Sequence, residues 1–224
     1  MVPVNLTGIA MSIVGSRSRR MDPAERRHEI VTAASRVAIG EGLERVTARR
    51  VAEELGVVPG LINHYFGSVD DLVAAAFGHA AEAERTVVFG AVSPGTGPVD
   101  ELNRLLAAFL QPDRDPVSLL WLDAWQASRR RPALLTEVVR QMEADTAQLA
   151  LLITRGIESG HFITPDAAST ALRIMALIDG LSIQAATRAQ IDYSVVVELV
   201  VSTIQSELGL APGELTGRKE GSLS

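Results

Sequence analysis

Apolar residues recur at helical spacing along most of the chain. Ile30, Ala33, Ala34, Val37 and Ala38 fall on one helical face, and Leu102, Leu105, Leu106 and Phe109 on another. Helix starts and stops stand between such runs. Asp22-Pro23-Ala24-Glu25 combines an N-cap, a first-position proline and an acid in the order of a capping box. Gly97-Pro98, Asp115-Pro116, Arg131-Pro132 and Thr164-Pro165 repeat the X-Pro start, and Ser68 is a cap followed by Asp70 and Asp71. Gly40, Gly56, Gly90, Gly160 and Gly209 supply the stops. The pattern predicts nine helices, over residues 22–40, 47–55, 58–65, 68–91, 98–111, 116–130, 132–159, 165–188 and 192–208. Val195-Val196-Val197 with Leu199 could open a strand, but the run continues into helix-favouring Ser202 to Leu208. The fold class is all-α. An arm over 1–21 and a tail over 209–224, rich in Gly, Ser, Pro and Arg, are expected to be disordered.

Composition narrows this picture. With 224 residues, 47% of them hydrophobic types and 21% charged, the chain can bury a core and fits one or two domains. Aromatic residues are only 4%, which favours helices packed through small aliphatic side chains over a β-sandwich or barrel. There is no cysteine, which excludes disulfides, thiolate metal sites and a cysteine nucleophile. No run is long and apolar enough to cross a membrane. Val2 to Val14 is broken by Pro3, Asn5 and Gly8, with no basic stretch before it, so a cytoplasmic protein without a membrane partner is expected.

The net charge of −6 speaks against a nucleic-acid partner until the chain is divided. Residues 1–66 hold nine arginines and seven acids, a net +2, and the remainder carries −8. Of the 21 basic residues, Lys219 is the single lysine.

The mildly basic part contains a specific spacing between Thr47 and Phe66. Two helices crossing steeply through a short turn need a small residue where they touch, and Ala52 supplies it. Gly56, four residues on, gives the turn its backbone freedom. Val51, Leu55, Val57 and Ile62 fill the wedge, Pro59 opens the second helix, and Thr47 caps the first. This is the pattern of a helix-turn-helix, and an ordinary αα-corner shares part of it.

The stretch Arg26 to Phe77 resembles the DNA-binding domain of the TetR family of transcriptional repressors. The resemblance rests on Arg27, Ile30, Ala33-Ala34, Gly42, Val46-Thr47, Val51-Ala52, Gly56-Val57, Pro59-Gly60, Tyr65-Phe66, Ser68, Asp71 and Leu72. Gly60 to Phe66 is similar to the BetI-like branch, as are Leu120 to Trp125, Arg131 to Leu134, Gly156 to Phe162 and Ala176 to Leu181. The resemblance covers about residues 22–208. It implies a nine-helix fold with a three-helix DNA-binding domain over 22–68, its family unit over about 23–83 and its motif over about 47–66. A ligand-binding and dimerisation domain follows over 69–208. It also implies a ligand-responsive repressor that binds palindromic double-stranded operator DNA as a homodimer and is released by a small, mainly apolar effector. Two positions depart from the family. Asn63 stands where a tyrosine usually contacts the DNA backbone, and Val69 where a lysine usually contacts a phosphate.

In a helix-turn-helix the second helix enters the major groove with its N-terminal part against the base edges. Val58, Pro59, Gly60, Leu61, Asn63 and His64 are therefore the candidates for base contact. Leu61 offers an apolar contact, Asn63 a bidentate pair with adenine, and His64 a base or a phosphate contact. Thr47, Arg49, Arg50 and Tyr65 are candidates for the backbone. Arg17, Arg19 and Arg20 would follow a phosphate track, enter a minor groove, or remain a solvated tail.

In the second part, Trp121 and Trp125 share a helix face. With Phe109, Met142, Leu149, Phe162 and Met175 they form a candidate apolar pocket, anchored by Asp123, Gln126, Asp179 and Gln184. The Ala- and Leu-rich run 167–186, with Gly180 inside it, and the last helix are the candidate for a four-helix dimer interface.

Two other readings share pieces of the pattern. Glu25-x-x-His28 and Glu158-x-x-His161 match the literal motif of a di-iron bundle enzyme. The first sits at a helix start and the second encloses Gly160, so neither projects inward from a long helix. His79 reads as a helix-surface residue, and no phosphate loop or nucleophile elbow occurs. No enzyme, catalytic residue, metal or cofactor is expected. The other reading is a TetR-like sensor that has lost DNA binding, for which Asn63 and Val69 speak.

Overall fold

The computed structural model describes residues 22–90, 97–109, 115–186 and 193–216. Among them all regular structure is helical: α1 (Pro23–Glu41), a 3-10 turn (Leu43–Arg45), α2 (Ala48–Leu55), α3 (Pro59–Tyr65), α4 (Val69–Gly90), α5 (Pro98–Phe109), α6 (Asp115–Ser128), α7 (Pro132–Glu158), α8 (Ala167–Ala186) and α9 (Tyr193–Glu207). Val195 to Leu199 belong to α9 and not to a strand. No helix among the described residues is long and apolar enough to cross a membrane.

Local chemistry sets the ends. The Asp22 carboxylate accepts from Ala24 N–H at 3.0 Å, and Glu25 accepts from Asp22 N–H at 3.2 Å, closing the capping box on α1. Most boundaries fall within two residues of the sequence expectation, and two of the shifts have a local cause. α1 runs through Gly40 and closes at Gly42, whose φ is +94°. A lone glycine costs a helix only about 1 kcal/mol and does not stop it. α8 starts at Ala167 and not at Pro165, because Asp166 is the better cap and receives Ala168 N–H at 3.2 Å and Ser169 N–H at 3.1 Å.

The helices enclose two apolar cores. The first gathers α1, α2, α3 and the first half of α4 around Ile30, Val51, Ile62, Leu72 and Phe77, and is closed by Leu120, Ala124, Leu134 and Val138 from α6 and α7. The second joins the end of α4 at Val88 to α5, the later turns of α7, α8 and α9, around Leu102, Leu149, Ile153, Ile174 and Ile204. α4 belongs to both cores, so any shift of α4 is felt at both ends. Its contact with α7 is close: a Cβ at Gly78 would land on the Glu137 side chain.

Residues 211–216, expected to be disordered with the rest of the tail, instead fold onto the second core. Leu215 is buried there, Asn103 Nδ2 donates to Glu214 O at 3.0 Å, and Thr216 N–H donates to Asn103 Oδ1 at 2.8 Å. One buried leucine anchors a segment whose Gly and Pro content reads as loop. Residues 1–21, with Arg17, Arg19 and Arg20, and residues 217–224 lie outside the described residues.

Candidate nucleic-acid interface and ligand pocket

Thr47 takes an extended backbone and its Oγ1 accepts from Arg50 N–H at 3.1 Å, which starts α2. α2 ends at Gly56 in the left-handed region, with φ +67° and ψ +33°. Val57 N–H then donates to Ala52 O at 2.9 Å, and Pro59 opens α3 where a missing N–H costs nothing. Val51, Ala52 and Ile62 are fully buried between the two helices, with Leu55 and Val57 half-buried beside them. Once those side chains are inside, the opposite side of α3 has no packing partner among the described residues. Val58 is 71% exposed, and Pro59, Gly60, Asn63 and His64 are exposed with it. Leu61 is half-buried at the edge of this row. Six of the sequence candidates thus come together on one short helix.

The remaining candidates also make contacts within the protein. Tyr65 is half-buried against the first core and sets its ring edge-on to His64 at 5.4 Å. Phe66 is buried, with the Arg27 guanidinium 4.8 Å above its ring. Arg49 is exposed and pairs with Glu53 at 3.0 Å. Arg50, a candidate for DNA contact, is partly exposed and paired with Glu41 at 2.6 Å and Glu54 at 3.0 Å. The hydrogen bonds that Arg50 donates to Glu41 and Glu54 push its guanidinium above its ordinary range, and the bond from Arg50 holds the Glu41 carboxyl below the usual carboxylate value. Arg50 therefore ties the end of α1 to α2. At the start of α4, Val69 is exposed, Asp70 and Asp71 follow it, and Ser68 Oγ accepts from Asp71 N–H at 3.0 Å.

A small cavity of about 90 Å³ opens among α4, α5, α6, α7 and α8. Phe109, Trp121, Trp125, Met142, Met175 and Asp179 line it, as the sequence suggested. The indoles of Trp121 and Trp125 lie 5.8 Å apart and tilted by 47°, and Phe77 meets the Trp121 ring edge-on at 4.9 Å. Trp121 Nε1 donates to Glu84 Oε2 at 3.1 Å, which fixes the ring. Three carboxylates, Glu84, Asp145 and Asp179, border the space, and among the described residues no Lys, Arg or His lines it.

Five sequence candidates fall outside this lining. Asp123 lies two residues from Trp121, hence on another side of α6, where its Oδ2 sits beside Gly42 of the first core. Gln126 and Gln184 are exposed. Leu149 is buried in the second core, and Phe162 is buried there with its ring against Gly156.

The pattern described as bacterial regulatory proteins of the tetR family matches residues 30–76, and that of the BetI-type transcriptional repressor C-terminal region matches 98–209. The chain belongs to the TetR family, and its second part is of the BetI type. The regulator BetI of Agrobacterium fabrum is 29% identical over 177 residues, 75% of this chain and 80% of that one. The regulator PksA of Bacillus subtilis is 38% identical over 58 residues, 26% of this chain, and the match spans only 28% of PksA. The multidrug binding protein EbrR, solved with proflavin, is 30% identical, with 80% of this chain and 99% of that one covered and a TM-score of 0.59.

In this TetR-family chain, sequence reasoning missed Glu84, Asp145 and a polar ladder between α4 and α7. Arg85 Nε meets Asp145 Oδ1 at 2.5 Å, and Arg85 also donates to Gln141 Oε1. Gln141, fully buried, donates to Gly78 O at 3.3 Å and to Glu137 Oε1 at 2.7 Å. Arg140 then bridges Glu137 and Glu82 at 2.7 Å each. Burial pushes the Glu137 carboxyl up, but the hydrogen bonds from Arg140 and Gln141 outweigh it and hold the group below its usual value. The partners are some sixty residues apart in the chain, and no local spacing announces them. His79, expected at the helix surface, is half-buried and faces α1. Its Nε2 lies 3.4 Å from Thr32 Oγ1 and its ring is edge-on to His28 at 5.4 Å.

Proposed function

We propose that the chain is a ligand-responsive repressor that binds palindromic operator DNA as a homodimer and is released by a small, mainly apolar effector with a cationic group. The observation that carries the reading is the exposed row Val58, Pro59, Gly60, Asn63 and His64 on α3, set on a rigid wedge. Asn63 and His64 read bases, Leu61 adds an apolar contact, and Thr47, Arg49 and Tyr65 meet the backbone. In this division residues 22–68 bind DNA and 69–208 bind the effector and the second copy.

The dimer reading is supported by two apolar rows that are exposed among the described residues. On α8 these are Leu172, 60% exposed, with Ala176 and Gly180; on α9, Val195 and Leu199, 61% and 62% exposed. Each follows helical spacing, as a symmetric four-helix contact requires. The effector reading is supported by the cavity. Indoles attract cations over their faces, and the described lining holds acidic side chains but no basic one, although Asp145 is already paired with Arg85. EbrR is a multidrug binding protein that was solved with proflavin, a planar aromatic cation. An effector acts by binding one arrangement of α4 better than another.

A panel of aromatic and quaternary ammonium cations, screened by thermal shift and then titrated into the protein–DNA complex, tests this. A binder at a hundred times its Kd should stabilise the protein by about 2.7 kcal/mol and release DNA. Trp121→Ala should lose most of that response. Binders that raise Tm but leave DNA bound would contradict the effector reading.

A further inference from the structure

We infer that the turn between α6 and α7 adds a second cationic contact to the DNA backbone, made by Arg129 and Arg130. This rests on the DNA-binding reading of α3 and extends it to a segment outside the helix-turn-helix.

The helix-turn-helix region has little free positive charge. Its described residues 22–66 hold six arginines against seven acids. Arg26, Arg36, Arg45, Arg49 and Arg50 each pair with a glutamate at 2.5 to 3.9 Å, which leaves Arg27, exposed and stacked on Phe66, as the one arginine of this stretch without an ion pair among the described residues. Binding to a phosphate track requires cations that can be spent on phosphates. The start of α4 worsens the deficit, since Val69 is followed by Asp70 and Asp71.

The α6–α7 turn lies against this spot. It carries Arg129, Arg130 and Arg131 in a part of the chain with net charge −8. The turn is well formed, with Arg130 N–H donating to Ala127 O at 3.1 Å and Arg131 N–H to Ser128 O at 3.2 Å. Arg131 Nη1 sits 3.4 Å from Asp70 Oδ1 and is itself buried, so Arg131 neutralises an acid at the start of α4 and pins the turn beside it. The first residues of α7 border the same groove as Gly67 and Asp71. Arg129 and Arg130 are exposed and, among the described residues, neither side chain has an ion pair or hydrogen-bond partner. Two unspent cations thus stand next to the helix start that presents Val69. They take the place of a cation there and meet the phosphates flanking the half-site.

The test is fluorescence anisotropy on a DNA fragment selected by the full-length wild-type chain, over a series of salt concentrations, with a scrambled fragment alongside. Arg129→Gln/Arg130→Gln should keep the wild-type Tm and lower the salt slope by about one per arginine per copy. Affinity should fall by a similar factor on both fragments, because phosphate contacts carry no sequence information. Val69→Lys in that background should return about one unit of slope per copy; no gain would overturn the placement. An unchanged slope in the double variant, with wild type still binding, overturns the inference and leaves the reading of α3 intact. A wild-type chain that retains no fragment at any salt overturns both.

Discussion

Arg85 on α4 and Asp145 on α7 are paired at 2.5 Å with side chains only 15% exposed, and Asp145 also borders the ligand cavity. The pair therefore joins the cavity wall to the helix shared by both cores. Removing one partner leaves a poorly solvated charge. Asp145→Ala should destabilise the chain by about 2–3 kcal/mol in urea denaturation, whereas Arg85→Met/Asp145→Leu together should cost less than either single change. A double variant as unstable as the sum of the singles would contradict the pairing.

Base reading and scaffolding should separate on the DNA-facing side. Asn63→Ala should cost about 1–3 kcal/mol of operator affinity, measured by anisotropy, and little on unrelated DNA. Arg50→Ala should instead lower stability and weaken both fragments alike, because Arg50 is tied to Glu41 and Glu54.

These two residues show what was legible in the chain. The capping box, the wedge and the αL glycine depend on neighbours within about four residues, so spacing alone reveals them. Trp121 and Trp125 share a face for the same reason, and the cavity was found through them. The Arg50–Glu54 pair follows i,i+4 spacing, but the Arg50–Glu41 contact escaped because Glu41 lies nine residues back across a corner. Asp123 was misplaced by half a helical turn. The burial of Leu215 and the α4–α7 ladder depend on tertiary neighbours that no local spacing encodes.

Acid should weaken the fold in a defined window. Glu41, Glu137 and Asp166 all have carboxyl groups held below their usual values, Asp166 by hydrogen bonds from Ser169 and Ala168. Such groups stabilise the folded state above the unfolded carboxylate value of about 4, and that contribution is lost as the pH falls through their lower folded values. Tm should be flat between about pH 5 and 7 and drop below about pH 4. Glu137→Gln should start from a lower plateau and fall less steeply.

Glycines distinguish the inside of the chain from its proposed partner surface. A Cβ at Gly156 would collide with the Phe162 ring, so Gly156→Ala should lower stability by about 1–3 kcal/mol. A Cβ at Gly180 meets nothing within 4 Å among the described residues. Gly180→Leu should therefore leave the monomer folded by circular dichroism and shift light scattering from dimer to monomer. A dimer unaffected by Gly180→Leu would place the interface elsewhere.

The central claim is that α3 reads DNA as one half of a symmetric pair. Selection of bound fragments from random DNA by the purified full-length chain tests it most directly. The reading predicts enrichment of an inverted repeat whose half-sites lie about one helical turn or a multiple of it apart, and loss of that enrichment in Asn63→Ala/His64→Ala. Recovery of no enriched sequence, or of a single unrepeated site, would contradict it.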